Sequence, residues 1–209
     1  MLLAIDTSND FAGVALRNEQ GIRAEATWYA GRQHTEQILP QIDLMLHHLD
    51  LTPAALTVVA VAIGPGSWSG LRAGISLAKA LVLAHAIPII KIPTLDALAY
   101  GHLGLGDLVT ATIRLGRDRY AAAMYRIDGA APHRITDYQT ATGSELRADQ
   151  QSPDIIGDLA YDAGVGRSSS SAHMRRASGV ADLAWARHLQ RDYDDVVALE
   201  PIYLSHPVR

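Results

Sequence analysis

Three groups of residues in this chain carry side chains at spacings that chemistry could use. Asp6-Thr7-Ser8 closes the apolar run Leu2 to Ile5, so a carboxylate and two hydroxyls stand at the end of a buried strand. A phosphate- or Mg²⁺-holding loop needs those groups at that place. A strand-end Asp also caps a turn by bonding its own backbone, and both uses stay open. His34 and Glu36 suggest metal-assisted hydrolysis, but the chain has no His-Glu-x-x-His, and His47 and His48 are adjacent and diverge on a helix. A helix start or packing role suits His34 better than zinc ligation.

The third group, Gly64-Pro65-Gly66-Ser67-Trp68-Ser69-Gly70-Leu71-Arg72-Ala73-Gly74, is the most informative. It follows the apolar run Val58 to Ile63 and opens the small-residue stretch Ile75 to Ala86, which reads as strand, glycine turn and helix. Such a junction can cradle phosphate at a helix N-terminus, or let two backbones approach closely. A P-loop would end in Gly-Lys-Ser/Thr, a dinucleotide fingerprint needs Gly-x-Gly-x-x-Gly, and a hydrolase elbow centres on Ser. This segment has Gly70-Leu71-Arg72, Gly-x-Gly-x-x-x-Gly and a central Trp68, so all three fail. Close packing is therefore preferred, with Ser67 capping the helix.

That helix should be thin along Gly70, Ala73, Gly74, Ala78 and Ala80. Leu71, Ile75, Leu77, Leu81 and Val82 make it apolar on more than one face. An outer apolar face has to meet either the second half of the chain or a partner helix. A neighbouring helix over 33–49, with Ile38, Ile42, Met45, Leu46 and Leu49 on one side, would lie beside it.

Composition narrows the classes. The chain has 209 residues, 48% of them hydrophobic, enough for one large domain or two lobes. It contains no Cys, which removes disulfides and thiolate metal sites and suits a reducing, cytoplasmic setting. Met1-Leu2-Leu3-Ala4-Ile5 lacks a basic region, so no signal peptide is expected, and no stretch reads as a membrane span. Lys plus Arg number 18 against 22 acids, a net charge of −4, which argues against the chain holding nucleic acid alone.

The positioning elements read in order. Strands are expected at 2–6, 11–16 and 22–28, then the 33–49 helix and a Pro53 helical start. A strand at 58–63, the glycine-opened helix, a strand at 87–92 and a helix capped by Thr94 follow. Gly101, Gly104 and Gly106 mark the expected boundary between lobes 1–103 and 104–209. Beyond it come strands at 108–113 and 120–127, a charged hairpin turn with Arg114, Arg117, Asp118 and Arg119, and an irregular polar stretch at 128–152. A short strand at 154–156, a loop at 164–171 and a helix at 179–190, with Trp185 packed, complete the chain.

Ala4-Ile5-Asp6-Thr7-Ser8, His34-Thr35-Glu36-Gln37-Ile38-Leu39-Pro40 and the Gly64–Gly74 segment together resemble the TsaB (YeaZ-like) family. The glycine segment is similar to its GPGSFTGLRIG signature, with Trp68 for Phe, Ser69 for Thr and Ala73 for Ile. The second half matches loosely: Thr112-Ile113-Arg114 stands where the family has Asp-Ala-Arg, and Pro201-Ile202-Tyr203-Leu204 leads to Ser205 instead of Arg. The resemblance implies an α/β, two-lobed actin-like fold (the sugar kinase, Hsp70 and actin class) with a degenerate nucleotide site. It implies a non-catalytic scaffold that heterodimerises with a TsaD-type catalytic subunit. That subunit threonylcarbamoylates the adenosine next to the anticodon, position 37, in tRNAs reading codons that begin with adenine. A TsaE-type ATPase docks on the pair, and tRNA is met only through the complex. No cofactor is expected for this subunit, with ATP and Mg²⁺ belonging to the complex.

Asp6, Thr7 and Ser8 would then be a vestigial phosphate loop. The partner interface would comprise Gly70, Leu71, Gly74, Ile75, Leu77, Ala78 and Leu81 with His34, Ile38 and Ile42. A homodimer in isolation follows from an apolar face reserved for a partner. The competing readings are an ATP-dependent phosphotransferase of the same fold and, more distantly, a glycoprotease-like metallopeptidase.

Overall fold

The computed structural model describes residues 1–102, 108–128, 131–149, 154–163 and 177–204. Its first sheet comprises β1 (Leu2–Asp6), β2 (Phe11–Asn18), β3 (Gly21–Tyr29), β4 (Val58–Ala62) and β5 (Ile89–Ile92), in the order β3-β2-β1-β4-β5. β1 runs antiparallel to β2, and β1, β4 and β5 are parallel. Both faces are covered, which explains why β1 and β4 are apolar without alternation.

Side-chain size separates the two faces. Leu3, Ile5, Val14, Leu16, Val59 and Val61 point to α1 (His34–His48) and α2 (Trp68–His85). The opposite face carries Ala4, Ala15, Ala60 and Ala62 at its centre, with Leu2, Val58, Ile90 and Ile92 beside them, and meets Ala177, Val180, Ala181 and Ala184 of the final helix, which spans Ala177–Leu189. Alanine against alanine brings that helix close to the sheet. The Arg17–Asp182 ion pair at 2.7 Å fixes its edge.

A short helix, α3 (Thr94–Tyr100), lies between this layer and the second sheet. That sheet comprises β6 (Leu108–Gly116), β7 (Arg119–Asp128), β8 (Ala131–Arg134), β9 (Gln139–Thr142) and β10 (Asp154–Gly157). Its order is β10-β6-β7-β8, with β9 also on β7. Leu95 and Leu98 of α3 pack on Val109, Ala111, Ile113 and Tyr125. The other face is covered by Leu146 of α4 (Gly143–Ala148) and Leu159 of α5 (Asp158–Ala163). The final helix is α6.

Several sequence expectations need correction. The glycine-opened helix begins at Trp68, so the signature's second half forms its first two turns. Thr94 is not a cap: it is the first residue of α3, and its hydroxyl accepts from the Gly64 N–H at 3.0 Å. The polar stretch 128–152 is not irregular, since it contains β8, β9 and α4. Thr142 and Glu145 form a reciprocal capping box there. The chain does not stay in the second lobe after residue 104. α6 returns to the first sheet, and Asp194 bridges to Ile89 at the β5 edge. The expected junction near 103–104, Gly104, Gly106 and the 164–171 loop lie at or within stretches outside the described residues. No helix among the described residues is long and apolar enough to cross a membrane.

Candidate functional site

A cleft of about 780 Å³ is lined by loops and helix starts of both lobes. The β1–β2 loop at Ser8–Asp10 and the start of α2 at Gly66–Trp68 line one side. The β6–β7 hairpin from Arg114 to Arg119, with Asp158 and Asp162 of α5, lines the other. The segment Ile202–Leu204 closes one end.

The first-lobe loop is held by its own groups. Asp6 Oδ1 accepts from the Ser8 N–H at 2.9 Å and the Ser8 hydroxyl at 2.6 Å. The Thr7 hydroxyl donates to Gly70 O at 2.7 Å, and the Ser67 N–H donates to Ser8 O at 2.7 Å. Asp6, Thr7 and Ser8 are all buried.

The glycines explain how α2 comes so close. A Cβ on Gly66 would collide with Ser8 O, one on Gly70 with Thr7 O, and one on Gly74 with the Thr7 hydroxyl. The signature therefore works as a packing device in this fold. Ser67 caps α2 as expected, its hydroxyl accepting from the Gly70 N–H at 3.3 Å.

His34 is buried, and its Nε2–H donates to Asn9 O at 2.8 Å. Since a carbonyl can only accept, that nitrogen carries the proton and has no lone pair for a metal. No cluster of three or more His, Cys, Asp or Glu suited to a metal occurs among the described residues.

The second-lobe hairpin is differently made. The Arg114 guanidinium pairs with Asp162, and its backbone N–H donates to Asp158 Oδ2 at 2.8 Å. The Tyr120 hydroxyl donates to Asp162 Oδ2 at 2.6 Å. Burial first, and then that hydrogen bond, push the Tyr120 hydroxyl up to about 12. Of the charged hairpin turn expected from sequence, Arg114 lies in the last part of β6 and its charge is paired. Arg117 and Arg119 have no carboxylate partner among the described residues.

The tail contributes residues that local sequence gave no reason to place here. The Ile202 N–H donates to Ile63 O at 2.7 Å, Leu199 is in the first-lobe core, and Leu204 packs on the second-lobe core. Tyr203 lies between: Arg72 Nε donates to its hydroxyl at 3.3 Å, and its ring centre is 6.4 Å from that of Trp68. The Arg72 guanidinium stacks 3.7 Å from the Trp68 ring centre.

The expected interface residues are mostly spent inside this chain. Gly70, Leu71, Gly74, Ile75 and Ala78 of α2 are buried, as are His34, Ile38 and Ile42 of α1. Leu71 and Ala78 are 0% exposed. Leu77 and Leu81 are half-buried against the same core. The exposed ridge of α2 is instead Trp68, Arg72, Ser76, Ala80 and Leu83, and α1 exposes Leu39 and Leu44. Leu83 is 69% exposed and Leu39 50%. A helix buried along one side still presents apolar residues on the other, and spacing alone does not say which side is which.

Comparison with known proteins bears on the family and the fold. The family model for TsaD, tRNA N6-adenosine threonylcarbamoyltransferase, matches residues 22–143, more than half of the chain. The chain is 34% identical to the tRNA threonylcarbamoyladenosine biosynthesis protein TsaB of Bacillus subtilis over 125 residues, 60% of the chain and 55% of that protein. The TsaB of Haemophilus influenzae is 27% identical over 99% of the chain and 94% of its own length. The Escherichia coli TsaB is 35% identical over 48% of the chain. The chain thus matches only about half the length of the B. subtilis and E. coli relatives. Among solved structures, YeaZ from Pseudomonas aeruginosa superposes with a TM-score of 0.80, covering 97% of the chain and 99% of its own, at 20% identity. At that identity the likeness establishes the two-lobed actin-like fold.

Proposed function

The chain belongs to the TsaB (YeaZ-like) family, and from that premise we propose that it is the non-catalytic partner subunit in threonylcarbamoylation of tRNA adenosine 37. In this reading it heterodimerises with a TsaD-type catalytic subunit, and a TsaE-type ATPase joins the pair. The relatives' name, tRNA threonylcarbamoyladenosine biosynthesis protein, supplies the pathway.

The observation that carries the non-catalytic part is the state of the first-lobe loop. A phosphotransferase of this fold needs that loop to face phosphate and metal. Here the Asp6 carboxylate holds Ser8, Thr7 holds α2, and the glycines of α2 seal the loop from behind. The partner role is supported by the outer face of α2, where Leu83 is exposed beside the small residues Ser76 and Ala80, and by the exposed Leu39 and Leu44 of α1. Small side chains let a second helix approach, and exposed leucines supply the area that association needs.

The test is co-purification with the same organism's TsaD homologue, followed by tRNA threonylcarbamoylation with and without this chain. Activity that requires both proteins is the expected result. Leu83→Glu combined with Leu39→Glu should leave the fold intact and abolish complex formation. Full activity of the TsaD homologue alone, or a complex undisturbed by the double variant, overturns the reading.

A further inference from the structure

We propose that the segment 199–204 is a strap that sets how far the cleft opens, pinned to the first lobe and latched releasably to the second at Tyr203 and Leu204. This goes beyond the partner role and concerns the chain by itself.

Length makes the segment a tether. Leu199 is 2% exposed in the first-lobe core, and Leu204 packs on the second-lobe core. Leu204 lies five positions on, a span that reaches about 18 Å at most when fully extended. The Ile202 N–H donates to Ile63 O, just past β4. Only two further residues, about 7 Å of chain, then lead to the second-lobe core. The second lobe cannot swing away at this end of the cleft unless one attachment gives.

The attachments are unequal. On the first lobe stand a buried leucine and a backbone hydrogen bond, and a Cβ on Gly64 would lie 2.9 Å from Ile202 O. The first glycine of the signature therefore admits the tail, where the other three admit the Thr7–Ser8 loop. On the second lobe Leu204 is only half-buried. Tyr203 is 39% exposed, takes a hydrogen bond from Arg72 Nε at 3.3 Å, and leans on the exposed Trp68 ring. Contacts at the surface open more readily than contacts in a core. Residues 203–204 can thus peel away while 199–202 stay, which opens the cleft at the end they close. Trp68 and Arg72 also begin the exposed ridge of α2, so the latch reaches the outer surface of that helix.

The test is the distance between the lobes, read by pulsed electron paramagnetic resonance. The chain has no Cys, so Asp43→Cys on α1 and Arg126→Cys on β7, both exposed, place one spin label in each lobe. With the natural tail a single narrow distance distribution is expected. Leu204→Asp and Tyr203→Ala should each broaden it and shift its mean by about 2 Å or more. Arg72→Ala should act in the same direction from the other side of the latch. All three should keep the circular dichroism of the unaltered chain.

A distribution already broad with the natural tail overturns the strap, as does one left unchanged by Leu204→Asp. An unchanged distribution in Tyr203→Ala and Arg72→Ala overturns the latch. Should Leu204→Asp lose its circular dichroism, those two variants decide. The measurement uses no partner protein, so its failure leaves the complex reading standing. Failure of the co-purification likewise leaves this one standing.

Discussion

In each lobe a central strand runs antiparallel to its successor and parallel to a later one: β1 with β2 and β4, and β6 with β7 and β10. Each later strand is followed by a glycine with positive φ, Gly64 at 103° after β4 and Gly157 at 88° ending β10. In each, a buried threonine at or in the central strand donates to a carbonyl, of the helix after β4 in the first lobe and of β10 itself in the second. Thr7 donates to Gly70 O, and Thr112 donates to Ile156 O at 2.6 Å. The difference lies at the hairpin tips. The first is pressed under α2 by backbone and hydroxyl bonds, whereas the second is tied through Asp118 and Arg114 to the starts of α4 and α5 and carries Arg117 and Arg119 exposed. One plan used twice has produced a sealed loop and an open one. What separates them is Gly66, just before the helix behind, with Gly70 and Gly74 along it.

The largest effects should come from breaking the seal. A methyl on Gly70 collides with Thr7 O, and one on Gly157 collides with Thr112 O from a left-handed backbone. Gly70→Ala and Gly157→Ala should each cost about 3 kcal/mol in urea unfolding. Wild-type stability for Gly70→Ala would mean that the first loop is not clamped.

The threonines should differ more finely. Thr112 also accepts from the Leu159 N–H at 3.1 Å, so Thr112→Ala strands a buried donor and should cost about 2 kcal/mol. Thr7→Ala removes a donor from one carbonyl and should cost about 1 kcal/mol. Equal losses in the same unfolding assay would erase the distinction.

A third contrast is alkaline. Burial and Asp162 hold the Tyr120 proton to about pH 12, and burial with Asp96 raises Tyr125 and Tyr138 above their ordinary value. Above pH 10 the unfolded chain has released these protons and the folded chain has not. Their contribution is therefore complete below pH 10 and falls as the pH rises through the folded values. Tyr120→Phe should flatten part of the stability loss between pH 10 and 12, followed by urea unfolding across that range. An unchanged slope would remove Tyr120 from the account. Smallest of all is Gly116→Ala, where a Cβ meets nothing within 4 Å; the change in unfolding free energy should stay within about 0.5 kcal/mol.

The first lobe was legible because its signals are local. Continuous apolar runs mark β1 and β4, Asn18–Gly21 marks a turn, and Ser67 marks a cap. Side-chain destination was not legible. Ile38, Ile42, Leu71 and Ile75 read equally well as a partner face or as core, and the sheet beneath them decides for core. The 128–152 stretch misled because β8 and β9 are four-residue strands without apolar alternation, formed because β7 supplies their hydrogen bonds. One signal was there to be read, since Thr142-Gly143-Ser144-Glu145 spells the capping box of α4. Placement of Tyr203 beside Trp68 depends on the returning tail, which no window of sequence contains.

That return has a consequence for how the chain is made. All five strands of the first sheet have been synthesised by Ile92, yet the face carrying Ala4, Ala15, Ala60 and Ala62 is covered only when residues 177–184 arrive. The nascent first lobe therefore leaves the ribosome with one apolar face bare, waiting through synthesis of the whole second sheet for the helix that closes it.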